Sequence, residues 1–168
     1  TSLDSEGFAA FALALPSRYS FAAARVVLEI TEAVAVKNLT HAAQTLHQLR
    51  ERGFEIALDD FGAGVASFGY LSDLPVSMVK IDGRFIRDFD RDPTAEVIVE
   101  SLTRVASLRG IRCVAEWVEN LAVLPRLREL GIGYAQGYAI HRPVPLASIA
   151  KEYQEPAREV SALSANHA

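Results

Sequence analysis

Glu55-Ile56-Ala57-Leu58-Asp59-Asp60-Phe61-Gly62-Ala63-Gly64-Val65-Ala66-Ser67 is the stretch on which the reading of this chain turns. Ile56 to Leu58 is a short apolar run with charge on both sides, the pattern of a buried strand. It runs into two adjacent carboxylates and then two glycines, which let a backbone turn tightly and approach a ligand closely. Neighbouring carboxylates repel, and a bound divalent cation relieves the repulsion. On a regular strand Asp59 and Asp60 point to opposite faces. Both reach one site only if the strand finishes there, and the glycines imply that it does. The plainer reading is a strand followed by an Asp-rich turn and a helix N-cap. The other strand ends separate the two.

Composition narrows the classes. The chain has 168 residues, 50% hydrophobic and 23% charged, enough for one domain with a real core. A net charge of −4 without any Lys/Arg cluster argues against a nucleic-acid duplex as partner. No apolar run approaches the ~20 residues of a membrane span, and the start lacks the basic-then-apolar order of a secretion signal. The single cysteine, Cys113, lies in a strand-like run and reads as a small buried apolar residue. The absence of a disulfide framework fits a reducing cytoplasm.

Outward from the central stretch, the chain alternates strands and helices. Leu3 to Leu15 has helical spacing, broken by Pro16-Ser17. Val26 to Ile30 is the first strand, and Thr31-Glu32 follows at once. Asn38 or Thr40 caps a helix to about Arg52, with Gly53 at its C-cap. Phe68 to Leu74 is a short helical turn before Pro75, and Ser77 to Asp82 is the third strand. A helix from Pro93 to about Leu108 places Val97, Ile98, Leu102, Val105 and Leu108 for burial. Ile111 to Ala115 is the fourth strand, Leu121 to Leu130 a helix, and Gly133 to Gly137 a short fifth strand. Pro145 to Tyr153 can hold a last helix, and 154–168 reads as a polar tail. Such alternation, with continuous rather than alternating apolar strands, predicts an α/β fold with a parallel sheet covered on both faces.

Every strand ends in polar residues: Glu29 with Glu32, then Asp59 and Asp60, Lys80 and Asp82, Glu116 with Glu119, and Gln136. In parallel α/β folds, ligands collect at these carboxyl ends. Several acids converging on one rim need cations, and hard oxygen donors without a His or Cys cluster suit Mg²⁺ or Mn²⁺ rather than zinc. Carboxylates bridging two metals suit phosphodiester hydrolysis. Lys80 among them points to an anionic substrate or an activated water. The plainer alternatives are a structural ion pair for Lys80 and first-turn helix acids for Glu32 and Glu119. His41 and His47 read as solvated, and His141 stands close to the fifth strand end. Trp117 is either rim packing or a base-stacking surface.

Leu28-Glu29-Ile30-Thr31-Glu32, Asp59-Asp60-Phe61-Gly62-Ala63-Gly64 with Ser67, Lys80-Ile81-Asp82, Ala115-Glu116 with Val118-Glu119, and Gln136-Gly137-Tyr138 with Pro143 follow one another as in EAL domains. From Leu3 to Leu146 the chain resembles this family of bacterial phosphodiesterases, second-messenger enzymes that cut cyclic di-GMP to linear pGpG. The resemblance implies a TIM-type (β/α) barrel. It implies a two-metal Mg²⁺ or Mn²⁺ centre on Glu29, Asp59, Asp60 and Glu116. Lys80 would hold the attacking water, with Glu116 also catalytic. Gln136 and Glu119 would order the site, Glu32 would anchor the Asp59–Gly64 loop, and Asp82 and Gln136 are candidates for binding substrate.

Two departures stand out. The family's Glu-Ala-Leu signature and a strand-end Asn are absent, so residues 1–153 read as the carboxyl-terminal part of a barrel with about five strands and without its amino-terminal third. Trp117 stands where the family usually has Gly. The expectation is therefore a cytoplasmic phosphodiesterase whose parent carries the missing segment and sensory or GGDEF-type domains, an upstream domain being where any membrane tether would lie. This chain alone would be inactive. Its open barrel interior is expected to be apolar, which predicts self-association. A non-catalytic cyclic di-GMP receptor and a protein-interaction fragment are the alternatives.

Overall fold

The computed structural model describes residues 7–64 and 68–149. Among them, α1 (Phe8–Tyr19), β1 (Val27–Thr31), α2 (Glu32–Lys37), α3 (Leu39–Glu51), β2 (Glu55–Phe61), β3 (Met78–Ile81), α4 (Gly83–Arg87), α5 (Pro93–Ser107), β4 (Arg112–Ala115), α6 (Leu124–Glu129) and β5 (Tyr134–Ala135) follow in order. The strands form one five-stranded sheet in sequence order, every pair parallel. This is the incomplete TIM-type barrel that the motif order implied, with helices on its outer side. No helix among the described residues is long and apolar enough to cross a membrane. Ser67, the end of the last expected helix and the 154–168 tail lie outside the described residues; 146–149 are helical.

The sheet registers sort the strand residues into two faces. Leu28, Ile30, Ile56, Leu58, Val79, Ile81, Cys113 and Ala115 lie on the face toward the helices, and most are fully buried. Each such aliphatic side chain contributes about 1.5–3 kcal/mol by leaving water. The opposite face carries Glu29, Asp59, Lys80 and Arg112 in the matching registers. The expectation of an apolar interior is therefore corrected: this side of the open sheet is largely polar. The strands looked continuously apolar because Ala57 and Val114 fall between charged residues on that inner face.

Local signals account for the helix starts. The Asn38 side chain accepts from the His41 backbone N–H at 3.4 Å, and Asp92 accepts from Thr94 N–H at 2.8 Å ahead of Pro93 at the first turn. Two readings are corrected. The helix α1 continues through Pro16 to Tyr19. Proline removes one bond of its own, while its carbonyl still accepts from Ser20 and Phe21 N–H to close the last turn. On α5 the buried stripe is Ala95, Val99, Leu102, Thr103 and Ala106, whereas Val97 and Leu108 are exposed. A count of apolar residues could not include Thr103. Its hydroxyl donates to the Val99 carbonyl at 2.8 Å, which lets it face the core. The short helices α2 and α4 are too brief to leave a periodic signature.

The stripe on α5 is directly testable. Leu102, 1% exposed, should lose about 2–4 kcal/mol on change to Ala. Val97→Ala, at a position 60% exposed, should cost under about 0.5 kcal/mol. Urea unfolding midpoints of the two variants check the order, and equal losses would restore the stripe through Val97.

Candidate active site at the carboxyl ends of the strands

Lys80, on the inner face of β3, is 5% exposed. Its Nζ lies 3.0 Å from Glu29 Oε2, 2.9 Å from Asp59 Oδ1 and 2.9 Å from Glu116 Oε1. These partners come from β1, β2 and the residue after β4, so one ammonium ties three strand ends together. Burial alone would push Lys80 toward neutrality. The close approach of Glu116, Asp59 and Glu29 outweighs it and holds the pKa above the ordinary lysine value. Asp59 Oδ1, though close in charge, has no well-aligned hydrogen bond and is buried.

Asp60 completes the cluster by a backbone device. Between β2 and β3, Leu58 pairs with Val79 and Phe61 with Ile81, so β2 holds one extra residue there. Asp60 takes the left-handed conformation at φ 56°, which costs an L residue about 1–2 kcal/mol. The strand thus does not end at Asp59–Asp60 as its sequence suggested; it continues to Phe61 through a bulge. Oxygen atoms of Asp59, Asp60 and Glu116 lie within 4.8 Å of one another. Burial raises the Glu116 pKa, with Asp59 and Asp60 adding to it against Lys80. Asp60 is raised by burial, Asp59 and Asp82, against Lys80 and Arg84. One ammonium facing four carboxylates leaves most of their charge uncompensated. Clustered hard oxygens and a buried, unaligned Asp59 oxygen fit a divalent cation.

The loop after β2 is tied down from two sides. Glu32, 2% exposed, accepts from the Gly62 N–H at 3.1 Å through Oε2. Its Oε1 accepts from the Tyr70 hydroxyl. Burial, then this carboxylate, pushes the Tyr70 pKa upward. Gly62 has φ +91°, and a Cβ there would sit 2.9 Å from Leu102 Cδ1, so the turn requires glycine. Arg84 Nη1 donates to the Ala63 carbonyl at 3.2 Å, and its Nε pairs with Asp82 at 3.2 Å. Asp82 also caps α4, accepting from Arg84 N–H at 2.8 Å. Its carboxylate is engaged within the protein. The sequence carries no signal for the roles of Tyr70 and Arg84, because neither sits in a motif that marks a loop partner.

Glu119, Gln136 and His141 stand apart from the acid cluster. They line an adjoining cavity of about 370 Å³ with Trp117. Glu119 lies in no helix, which removes the reading of it as a first-turn acid. The Gln136 backbone continues the β4–β5 pairing, donating to Ala115 O at 2.8 Å and accepting from Val118 N–H at 3.0 Å. Trp117 is left-handed at φ 53°, a strain of order 1–3 kcal/mol that the surrounding contacts must hold.

Known proteins share this arrangement. The EAL domain family model matches residues 1–143. The cyclic di-GMP phosphodiesterase PdeB of Shewanella oneidensis is 44% identical over 153 residues, which cover 91% of this chain and 18% of PdeB. The chain therefore spans less than a fifth of that relative's length. The PaMucR phosphodiesterase in complex with c-di-GMP superposes with a TM-score of 0.83 at 31% identity, over 88% of this chain and 60% of that one. The Klebsiella pneumoniae BlrP1 manganese/cy-diGMP complex superposes with a TM-score of 0.74 at 28% identity, over 82% and 35% of the two chains.

The Glu32 contacts carry a prediction of their own. Glu32→Ala leaves the Tyr70 hydroxyl and the Gly62 N–H without their partner. The variant should lose about 2–4 kcal/mol of stability for two unsatisfied groups, read by denaturant unfolding. A loss under about 0.5 kcal/mol would show that water replaces the carboxylate at no net cost.

Proposed function

The chain belongs to the EAL domain family, and from that premise we propose that the protein carrying it hydrolyses cyclic di-GMP to linear pGpG. The observation that carries the reading is the convergence of Glu29, Asp59 and Glu116 on Lys80, with Asp60 brought in by the bulge. Glu29, Asp59, Asp60 and Glu116 would hold Mg²⁺ or Mn²⁺ in a two-metal centre. Such ions, when bound, supply Lewis acidity to a water and offset phosphodiester charge. The chain's own residues do the rest. Asp59 belongs both to the set of acids around Lys80 and to the oxygen cluster with Asp60 and Glu116. The Lys80 ammonium has three N–H donors and lies 2.9–3.0 Å from three carboxylates in this structure. Holding the attacking water takes one donor away from a carboxylate, which the excess of acid over base allows. Glu119 and Gln136 would order the neighbouring rim and Gln136 would bind nucleotide, while Asp82, tied to Arg84, would hold the loop after β2.

A receptor that binds without cleaving needs a nucleotide surface but no set of clustered acids. The full set of Glu29, Asp59, Asp60, Lys80 and Glu116 therefore favours catalysis.

Two substitutions test this. Asp59→Asn in the protein carrying this chain should lower turnover of cyclic di-GMP on the order of a thousandfold, several kcal/mol of transition-state stabilisation. Unchanged turnover in a folded variant would remove Asp59 from the mechanism. Lys80→Ala removes positive charge from among four acids, so Mn²⁺ binding by calorimetry should persist or tighten while hydrolysis falls. Loss of Mn²⁺ binding with the fold intact would show that Lys80 organises the acids rather than the water.

A further inference from the structure

The acid cluster does not account for the cavity beside it. This space of about 370 Å³ is walled by Trp117, Glu119, Gln136, Tyr138, His141 and Pro143. Gln136, in its wall, pairs through its backbone N–H with Ala115 O, the residue before Glu116, so the cavity lies at the strand end that carries Glu116. The indole is held from the direction of α4. A Cβ built on Gly83 would lie 2.2 Å from the indole Cγ, so the ring rests on the glycine backbone. One helical turn on, the Arg87 guanidinium carbon sits 4.7 Å from the ring centroid. Residues four apart share one helix face. Gly83 and Arg87 thus both hold the indole from α4, Arg87 by cation–π attraction.

The other side is open, and Trp117 remains 54% exposed. Simple rim packing would bury this ring. Here a large aromatic surface is instead kept facing a cavity by a left-handed backbone that an L residue resists. The same lining includes Glu119, Gln136 and His141, residues able to supply acceptors and donors. A flat wall with polar groups at its margin suits a planar heterocycle bearing its own hydrogen-bonding edge. A nucleobase is the planar group that a phosphodiester at the neighbouring acids would bring.

We propose that Trp117 is a stacking platform for one purine base of the substrate, oriented by Gly83 and Arg87. The proposal rests on the reading of the acid cluster as a phosphodiester site and adds a binding and specificity residue to it. Trp117 touches the base and leaves the chemical step to the acids.

Trp117 is the single tryptophan of the chain, and the emission difference between the protein carrying the chain and its Trp117→Phe variant isolates its signal. The protein carrying the chain is titrated, with Mg²⁺ present, with pGpG, GMP and ribose 5-phosphate. Tryptophan emission is read against Trp117→Phe as blank, and affinity is measured by calorimetry. Saturable quenching by pGpG and GMP, and none by ribose 5-phosphate, is expected. Trp117→Ala should weaken pGpG binding on the order of ten- to a hundredfold, and Trp117→Phe by no more than about threefold because a ring still stacks. Gly83→Ala keeps the indole but must displace it, so it should weaken binding as Trp117→Ala does. In steady-state assays Trp117→Ala should raise KM for cyclic di-GMP with kcat little changed.

Wild-type pGpG affinity in folded Trp117→Ala, or in folded Gly83→Ala if the first variant fails to fold, overturns the platform. Hydrolysis by the parent would then still stand. Nucleotide quenching without hydrolysis would uphold the platform and remove the catalytic reading. Binding of pGpG without any quenching would place the base elsewhere.

Discussion

The Lys80 ammonium is the constraint on which the site depends. A buried cation carries a desolvation cost of several kcal/mol, and here three carboxylates from different strand ends offset it. Because Nζ lies 2.9–3.0 Å from each, the ends of β1, β2 and β4 are held around one point. The same arrangement leaves acid in excess. The protein has assembled a place where positive charge is needed, and hard cations are the natural means of supplying it.

Strained backbone does the positioning that strand geometry cannot. A regular strand would send Asp60 away from Asp59, and the bulge turns it back at the cost of a left-handed residue. The resulting loop is then fixed by a buried acid, Glu32, and by Arg84 at the Ala63 carbonyl. At the end of β4 the same device recurs in Trp117, supported by α4. These left-handed residues lie at strand ends lining the functional rim, where strain of this kind concentrates.

The polar inner face has a consequence for the sheet. With Glu29, Asp59 and Lys80 above and the Glu55–Arg112 ion pair below, the inner surface has its own charge partners. The hydrophobic core sits on the helix side, where α3 and α5 cover the sheet. Solvent on the inner face is therefore far less costly than apolar strand composition implied.

The sequence by itself determined the parallel fold class, the start of α3 at Asn38 and the acidic residues that meet at the rim. These are local or periodic signals: apolar runs, Asn38 and Pro93 at helix starts, carboxylates at successive strand ends. It also carried the family motifs. It could not determine how Asp59 and Asp60 reach one site, since a bulge depends on the partner strand's register. Nor could it decide which stripe of α5 is buried, because that turned on Thr103 satisfying its hydroxyl within the helix. The partners of Glu32, the engagement of Asp82 by Arg84, and the seat of Trp117 on Gly83 join residues 30 or more positions apart in two of the three cases. The contacts of Glu32 and of Trp117 exist only once the strands are packed, so only the tertiary structure could decide them.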